Sequence, residues 1–369
     1  MKILHTSDWH LGLQSWIGSK AIDRLEETER AIHFLVDLAE KEKVDLVIVA
    51  GDALHNRVNP RIEALNVLSE TVAKFASIAP TFVVFGNHDW QGLNHWKTFN
   101  LKNLYIVERP DTVELQEAVL FFLPYVDYQR LLGTTRDPIA AMRDFLDSYL
   151  ADFKRYVKPD KANVLVAHAM LEGCFESERE NNIQYQLKSN SFPTDFDYVA
   201  LGHVHNQMQI SQQPVGWYCG SPIALDFGEE KDIKGALLVE ISQRTIVKAV
   251  RTPHATLKTF EYEDYSLSNL NRIESDLENF SGYARILFKC SPSNEVRKHL
   301  LERYESVVKV EFETVWGQQE SISAPSERKT LIEMYRDYVK QKYPDFEDEM
   351  VKIVEEILKE VEQAEATQD

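Results

Sequence analysis

Cysteine is scarce in this 369-residue chain, and the three present, Cys174, Cys219 and Cys290, lie far apart. An odd, scattered set argues against a disulfide framework and is typical of a reducing cytoplasm. Long hydrophobic runs are lacking too, because no apolar stretch approaches the roughly 20 residues of a membrane span. The opening "MKILHTSD" leads straight into a strand pattern without a signal segment. The sequence therefore predicts a cytoplasmic protein without membrane contact.

Positive charge is also in short supply, since 41 basic residues face 59 acidic ones and the net charge is −18. Proteins that bind nucleic acid depend largely on Lys and Arg to neutralise phosphates. A site that reaches phosphate through metal ions needs fewer basic side chains. The charge therefore weakens the expectation of a DNA partner but leaves it open.

The chain is too long for one ordinary compact core, and its patterning predicts several parts. Residues 1–252 alternate strand-like runs with helical segments such as "DRLEETERAIHFLVDLAEKEK", which indicates an α/β domain. The strand-like runs are "KILHTS", "DLVIVAG", "TFVVFG", "NVLVAH", "YVALGH" and "ALLVEI". Residues 257–318 read as a small α+β unit, with "SLSNLNRIESDLENF" as a helix and "ARILFKC" and "VVKVEFET" as strands. Residues 319–328 read as a polar linker. Residues 329–369 read as two helices separated at Pro344.

Side chains that bind metals follow five of the predicted strands. One such histidine is more often a structural residue than a ligand, but the repetition at successive strand ends argues otherwise. We expect strand ends that fan to one edge of a sheet to bring these side chains together. Residues two apart in a strand share a face, so Asp8 with His10 and His203 with His205 can each present two ligands together. Glycines precede Asp52, Asn87 and His203 and allow close backbone approach. The candidates are Asp8, His10, Asp52, His55, Asn87, His88, Asp89, His168, His203 and His205.

The donor types favour a particular kind of metal centre. Among the ten candidates are two carboxylates, one amide and four imidazoles that could act as ligands, and none is a thiolate. Such a set suits Mn²⁺ or Fe²⁺, with Zn²⁺ as an alternative. Seven ligands are too many for one ion. They fit two ions that share a carboxylate about 3.5–4 Å apart, the usual arrangement for hydrolysing phosphate esters.

The order DxH, GD, GNHD, H and GHxH resembles the signature of the calcineurin-like metallophosphoesterases. The blocks "ILHTSDWHLG", "GDALHNRVNP", "YVALGHVH" and "CGSPIALDFGEEKDIKGALLVEI" further resemble the SbcD-type DNA nucleases of double-strand-break repair. This resemblance implies a two-sheet α/β sandwich flanked by helices, a small α+β capping domain for DNA binding and specificity, and a C-terminal helical hairpin.

The resemblance also implies roles for the site residues. Asp8, His10 and His205 would hold one Mn²⁺ ion, with Asp52 bridging to a second ion held by Asn87, His168 and His203. His88 would stabilise or protonate the phosphate and its leaving oxygen, with Asp89 orienting it. The candidate DNA contacts are His55, Arg57 and Arg61.

Partner surfaces are expected in two places. A homodimer would use apolar residues of two helices, although plain core packing is the alternative reading: Leu65, Leu68, Val72, Leu93, Trp96 and Phe99. An SbcC-type ABC ATPase with a coiled coil would bind the C-terminal helices, which could instead dock on their own domain: Leu331, Met334, Tyr335, Tyr338, Met350, Ile353, Val354, Ile357, Leu358 and Val361. Together these contacts would give a heterotetramer.

The resemblance thus implies a nuclease subunit in repair and recombination, exonuclease on duplex ends and endonuclease on single-stranded or hairpin DNA. Two competing functions stay open. One is a phosphodiesterase for cyclic nucleotides or other small nucleotides, which the same metal site would serve. The other is a mainly architectural subunit that binds DNA ends.

Overall fold

The computed structural model describes residues 1–89, 93, 101–126, 137–171, 174, 186–187, 192–313, 336, 352 and 354. The chain forms two compact units, Met1–Thr314 and Val315–Asp369. The predicted linker and C-terminal helices belong to the second unit. Of the candidate ATPase contacts only Val354, which is helical, lies within the described residues.

Nineteen strands and five α-helices are present in the described part of the first unit. The helices are α1 (Leu25–Glu42), α2 (Ile62–Ile78), α3 (Pro138–Phe153), α4 (Leu267–Glu278) and α5 (Asn294–Arg303). The strands are β1 (Lys2–Thr6), β2 (Gln14–Ser15), β3 (Ile22–Asp23), β4 (Leu46–Val49), β5 (Thr81–Val84), β6 (Leu104–Val107), β7 (Asp111–Glu114), β8 (Ala118–Leu123), β9 (Ala162–His168), β10 (Met170–Leu171), β11 (Gln186–Leu187), β12 (Tyr198–Gly202), β13 (Met208–Gln212), β14 (Val215–Tyr218), β15 (Gly235–Ile241), β16 (Thr245–Arg251), β17 (Thr256–Tyr262), β18 (Gly282–Phe288) and β19 (Val307–Phe312).

Two six-stranded sheets form the centre of this unit. The first has the order β16-β15-β1-β4-β5-β6, and the second has the order β13-β14-β12-β9-β8-β7. Strands β1, β4, β5 and β6 run parallel, as do β14, β12, β9 and β8. The strands predicted from the apolar runs are confirmed as β1, β4, β5, β9, β12 and β15, and the first predicted helix is confirmed as α1.

The sheets stack face to face with helices on their outer sides. Ile48, Phe82 and Tyr198 belong to an apolar core shared by both sheets. The other face of the first sheet packs on α1 and α2, and the other face of the second sheet packs on α3. Both faces of each sheet are therefore covered, which explains why β4, β5 and β8 are continuous apolar runs rather than alternating ones.

Residues 256–312 form a separate parallel sheet, β17-β18-β19, with α4 and α5. Ile273, Ile286 and Val310 lie in its own apolar core. The sequence predicted α4, β18 and β19, whereas β17 and α5 were not predicted. The apolar content of α5 is low and only Leu300 is buried in it, so its pattern is weak.

The structure corrects the predicted dimer surface. Leu68, Val72 and Leu93 are fully buried in the core between the first sheet and its helices, and they are therefore core residues rather than contacts for a second chain. Leu65 is partly buried against the same core. Trp96 and Phe99 lie outside the described residues. The apolar stripe of α2 thus matches the plain core alternative.

No helix within the described ranges has both the length and the apolar character needed to cross a membrane.

Candidate metal centre

The candidate ligands meet where strand ends of both large sheets come together. Asp8, Asp52 and Asn87 follow β1, β4 and β5 of the first sheet, whereas His168 ends β9 and His203 follows β12 of the second. The sequence predicted convergence at one edge of one sheet. The structure instead builds the site from two sheets, because their stacking places these ends side by side.

The first group of ligands consists of Asp8, His10 and His205, whose donor atoms all lie within 4.8 Å of one another. His10 Nε2 is 3.2 Å from His205 Nε2. The Asp8 carboxylate accepts hydrogen bonds from the backbone N–H of His203 at 3.1–3.2 Å and from the Ser7 hydroxyl. These bonds fix the buried carboxylate at the base of the site.

The second group consists of Asp52, His168 and His203, and it obeys the same distance limit. Asn87 belongs to it, because its Oδ1 lies 3.0 Å from both His168 Nε2 and His203 Nδ1. Asp52 Oδ2 lies 3.5 Å from His168 Nε2 and 3.7 Å from His10 Nε2. The Asp52 carboxylate therefore stands between the two groups, where a bridging ligand belongs.

The donor set fits divalent cations, because lone pairs face one another. His168 Nδ1 donates to the carbonyl oxygen of Ala50 at 2.8 Å, so loss of the proton from Nε2 leaves a lone pair directed toward Asn87 and Asp52. His205 Nδ1 donates to Glu229 Oε1 at 2.7 Å, so its Nε2 lone pair faces the first group. Acceptors that converge in a buried pocket need a shared cation to satisfy them.

The pKa values of the buried groups follow from the same crowding. Burial by itself raises the pKa of Asp52, but His168 and His10 beside it hold that pKa well below its usual range. Burial by itself lowers the pKa of His168, yet the Asp52 and Asp8 carboxylates raise it to about 9. In the metal-free chain a proton on His168 thus lies among these acceptors, and ligand binding by metal ions requires its release. Burial lowers the pKa of His203 to about 3, which keeps that imidazole neutral.

Left-handed backbone places four of the ligands. The φ angles of Asp8, His10, Asp52 and His203 are 52°, 46°, 52° and 105°. β1 ends at Thr6, so the prediction that Asp8 and His10 share a face through strand alternation is wrong. Non-glycine residues rarely adopt positive φ, and such residues concentrate at functional sites.

Two glycines allow the ligands to approach the backbone, as the sequence predicted. A Cβ at Gly51 would lie 2.1 Å from His168 Nδ1, and a Cβ at Gly86 would lie 2.1 Å from Asp52 Oδ1. Both distances are far inside van der Waals contact. Any side chain at these positions would displace a ligand.

His88 and His55 lie beside the first group of ligands. The His88 ring stacks on His55 at 5.4 Å between centroids and meets His10 edge-on at 4.9 Å. His55 Nδ1 lies 3.3 Å from His10 Nδ1. Donor atoms of all three rings lie within 4.8 Å of one another. The predicted substrate-facing histidines are therefore close to the ligands.

Asp89 does not occupy the place that we expected beside the His88 ring. Its carboxylate accepts from the backbone N–H groups of Asp52, Leu54 and Gly86 at 2.8–3.0 Å. The contact to His88 Nδ1 comes from the carbonyl oxygen of His55 at 2.9 Å. Asp89 instead joins the turns after β4 and β5, which carry Asp52 and Asn87.

The two arginine candidates differ in their surroundings. Arg61 pairs with Asp23 at 2.6 Å and lies 3.5 Å from Glu63, so its charge already has acidic neighbours. Arg57 is exposed, whereas Arg61 is half-buried. Of the two, Arg57 is therefore the more accessible from solvent.

The sequence analysis missed Glu229 and Lys234. Glu229 contacts the ring of His205, and buried Lys234 lies 2.7 Å from Glu229 Oε2. Burial raises the pKa of Glu229, but His205 and Lys234 lower it to about 2. The dense run of charges in "GEEKDIK" was the available signal, because charged side chains are almost never fully buried unless paired.

This fold and ligand set define a phosphoesterase class. Residues 1–207 match the family model described as calcineurin-like phosphoesterase, and the chain belongs to that family. The resemblance seen in the sequence is thereby confirmed. The family uses divalent metal ions, and the Asp and His groups described above could hold them.

Among curated proteins, the chain is similar to the SbcD subunit of the SbcCD nuclease of Staphylococcus epidermidis, with 30% identity over 72% of this chain and 74% of the relative. The protein of the same name from Staphylococcus saprophyticus is 28% identical over 67% of each chain. A dimetal phosphatase from Danio rerio is a more distant solved structure, with 11% identity, a TM-score of 0.41, and coverage of 69% of this chain and 98% of that one.

Proposed function

We propose that this chain is the nuclease subunit of an SbcCD-type complex and hydrolyses DNA phosphodiester bonds with two Mn²⁺ ions. The observation that carries the proposal is the pair of ligand groups joined by Asp52, with His88 beside them. The names of the two bacterial relatives support a nucleic acid as the substrate, and the resemblance to SbcD-type DNA nucleases favours DNA. The exonuclease action on duplex ends and endonuclease action on single strands or hairpins, in repair and recombination, are parts of this proposal.

The residues of the chain would act as follows. Asp8, His10 and His205 would hold one ion and Asn87, His168 and His203 the other, and Asp52, which stands between the two groups, would serve both. When bound, the two ions supply Lewis-acid activation of water and neutralise charge on the phosphate.

His88 would contribute a positioned N–H to the phosphate or its leaving oxygen. The carbonyl oxygen of His55 accepts from His88 Nδ1–H, so Nε2 faces the substrate side, and donation from Nε2 requires a second proton on the ring. The backbone N–H of His88 also donates to Asp52 Oδ1 at 2.8 Å. His88 is thus held at a fixed place relative to the bridging carboxylate.

The other parts of the chain have proposed roles as well. Residues 257–318 would contact DNA as a capping domain, and residues 329–369, beyond the linker 319–328, would bind the ABC ATPase. His55, exposed Arg57 and half-buried Arg61, which pairs with Asp23, remain proposed DNA contacts. A homodimer would have to use side chains other than the buried Leu68, Val72 and Leu93.

The test is degradation of end-labelled linear duplex DNA and of a DNA hairpin by the full chain, in Mn²⁺ and in Mg²⁺, with a small phosphodiester as a parallel substrate. We expect Mn²⁺-dependent DNA cleavage that Asp52→Asn abolishes. The same assays are repeated with the ATPase partner. Hydrolysis of the small ester with DNA untouched under both conditions would overturn the nuclease proposal in favour of a small-molecule phosphodiesterase. Binding of DNA ends without any hydrolysis would favour an architectural subunit.

A further inference from the structure

A short turn between β14 and β15 contacts both the metal centre and the three-stranded sheet. It comprises residues Asp226–Glu230, called here the acidic turn, and its centre is a 3₁₀ segment, Phe227–Glu229. The sequence-adjacent Glu229 and Glu230 face different parts of the molecule.

Glu229 is fixed on both of its carboxylate oxygens. Oε1 accepts from His205 Nδ1 at 2.7 Å, and Oε2 accepts from the backbone N–H of Leu225 at 2.8 Å and lies 2.7 Å from Lys234 Nζ. Lys234 Nζ also donates to the backbone carbonyl oxygen of His205 at 2.9 Å. The ring and the backbone of His205 are thus held by one network.

Glu230 reaches the small sheet instead. Its Oε2 accepts from both the backbone N–H and the hydroxyl of Thr259 in β17, at 2.9 and 2.6 Å. Arg285 of β18 donates to the same hydroxyl at 3.0 Å and lies over the ring of Phe227 at 5.3 Å. Phe227 packs in an apolar cluster that includes Leu257 of β17.

We infer that Glu229 is a positioning residue for His205 and that Glu230 ties this position to the three-stranded sheet. A shift of that sheet then changes the metal affinity of the Asp8–His10–His205 group. Adjacent Cα atoms are fixed about 3.8 Å apart, so a displacement of Glu230 moves Glu229 with it. The coupling is reciprocal, so metal binding at His205 also favours one position of the sheet. The inference rests on the proposed metal centre.

Calorimetric titration of the metal-free full chain with Mn²⁺ measures the coupling directly. We expect Glu229→Ala to weaken binding about 10–100-fold, as loss of a ligand's hydrogen-bond partner typically does. We expect Glu230→Ala, which leaves Glu229 in place, to weaken it about 2–30-fold. The matched control is Ser19→Ala, which removes a bond of 2.8 Å from the Ser19 hydroxyl to the carbonyl oxygen of Val308 in the same sheet, outside the acidic turn. Its Mn²⁺ affinity should equal that of the wild type.

A second measurement is independent of metal. In ¹⁵N-histidine NMR spectra of the metal-free chain, the His205 resonances, assigned with His205→Asn, report which ring nitrogen carries the proton. Glu229→Ala should redistribute that proton, Glu229→Gln should restore much of the wild-type pattern because its carbonyl oxygen still accepts, and Ser19→Ala should change nothing.

The outcomes separate the inference from the proposed function. Wild-type Mn²⁺ affinity in Glu230→Ala, or equal losses in Glu230→Ala and Ser19→Ala, would overturn the coupling to the sheet. Unchanged His205 resonances in Glu229→Ala would overturn the positioning role. A wild-type chain that binds no Mn²⁺ would contradict the metal centre itself, while the NMR comparison would still decide whether Glu229 holds His205.

Discussion

The ends of β1, β4, β5, β9 and β12 and the loops that follow them bury carboxylates and imidazoles, whereas the three-stranded sheet with α4 and α5 buries an apolar core. The loops place Asp8, His10, Asp52 and His203 in left-handed backbone. Within residues 256–312, all of which are described, positive φ occurs only at Gly282. The loops of the metal centre therefore depart from regular strand geometry, whereas the three-stranded sheet keeps it.

Stability and function are therefore located in different regions. Buried carboxylates and imidazoles that converge on one point destabilise a metal-free chain, because they lose hydration and only some of their lone pairs accept a hydrogen bond. Burial of apolar side chains in the three-stranded sheet stabilises the fold without any ligand. Substitutions of the ligands and of His88 in the first region should thus alter metal binding or catalysis, and substitutions in the apolar core of the second should alter stability alone.

The largest expected effect is on catalysis at His88. His88→Ala should lower DNA cleavage about 10²–10⁴-fold, because a positioned proton donor is lost. The Mn²⁺ affinity should stay unchanged, since His88 is not a proposed ligand. Cleavage rates and calorimetry check this, with His33→Ala on α1 as the control. Near-normal cleavage by His88→Ala would remove the proposed role.

The second effect is steric and concerns Gly51. Gly51→Ala should lower the free energy of unfolding by about 3 kcal/mol, from left-handed strain and from the overlap with His168 together. Gly18 is a matched control, because its φ is also +97° but nothing lies within 4 Å of its Cβ position. Gly18→Ala should cost about 1–2 kcal/mol from strain alone. Equal losses in urea unfolding would contradict the crowding at His168.

A smaller effect is expected in the core of the three-stranded sheet. Ile286→Val removes one buried methylene and should cost about 0.5–1.5 kcal/mol of unfolding free energy. The Mn²⁺ affinity should not change. Ile246→Val on β16, where the side chain is 45% exposed, is the control that leaves no comparable cavity. A lowered Mn²⁺ affinity in Ile286→Val would contradict the separation, because it would show that this core affects the metal centre.

The smallest effect concerns the start of α5. The Ser293 hydroxyl accepts from the backbone N–H of Val296 at 3.3 Å, and Ser293→Ala should cost about 0.5–1 kcal/mol. Ser266 precedes α4 without a side-chain cap bond, so Ser266→Ala is the matched control and should cost less. Thermal unfolding of the two variants compares them. Equal shifts would show that the Ser293 bond contributes nothing.

The sequence predicted more of the fold where the pattern is strong than where it is weak. Apolar runs predicted β1, β4, β5, β9, β12 and β15 because strands buried on both faces are recognisable without alternation. α5 escaped prediction because it buries so little. The apolar stripe of α2 could not decide between core and interface, since burial in either place needs the same side chains. The packing on the first sheet decided it for Leu68 and Val72.

The order of the amino acids was enough to establish which residue types stand at the ends of which strands, and hence the donor set of the centre. The close backbone approach at the glycines beside Asp52 and Asn87 could also be predicted, because glycine has no Cβ to prevent it. Tertiary packing was needed to establish that two sheets supply the ligands, that Asp89 accepts from backbone N–H groups rather than from His88, and that Glu229 holds His205. These contacts join residues distant along the chain, and local sequence patterns carry no information about which distant groups will meet.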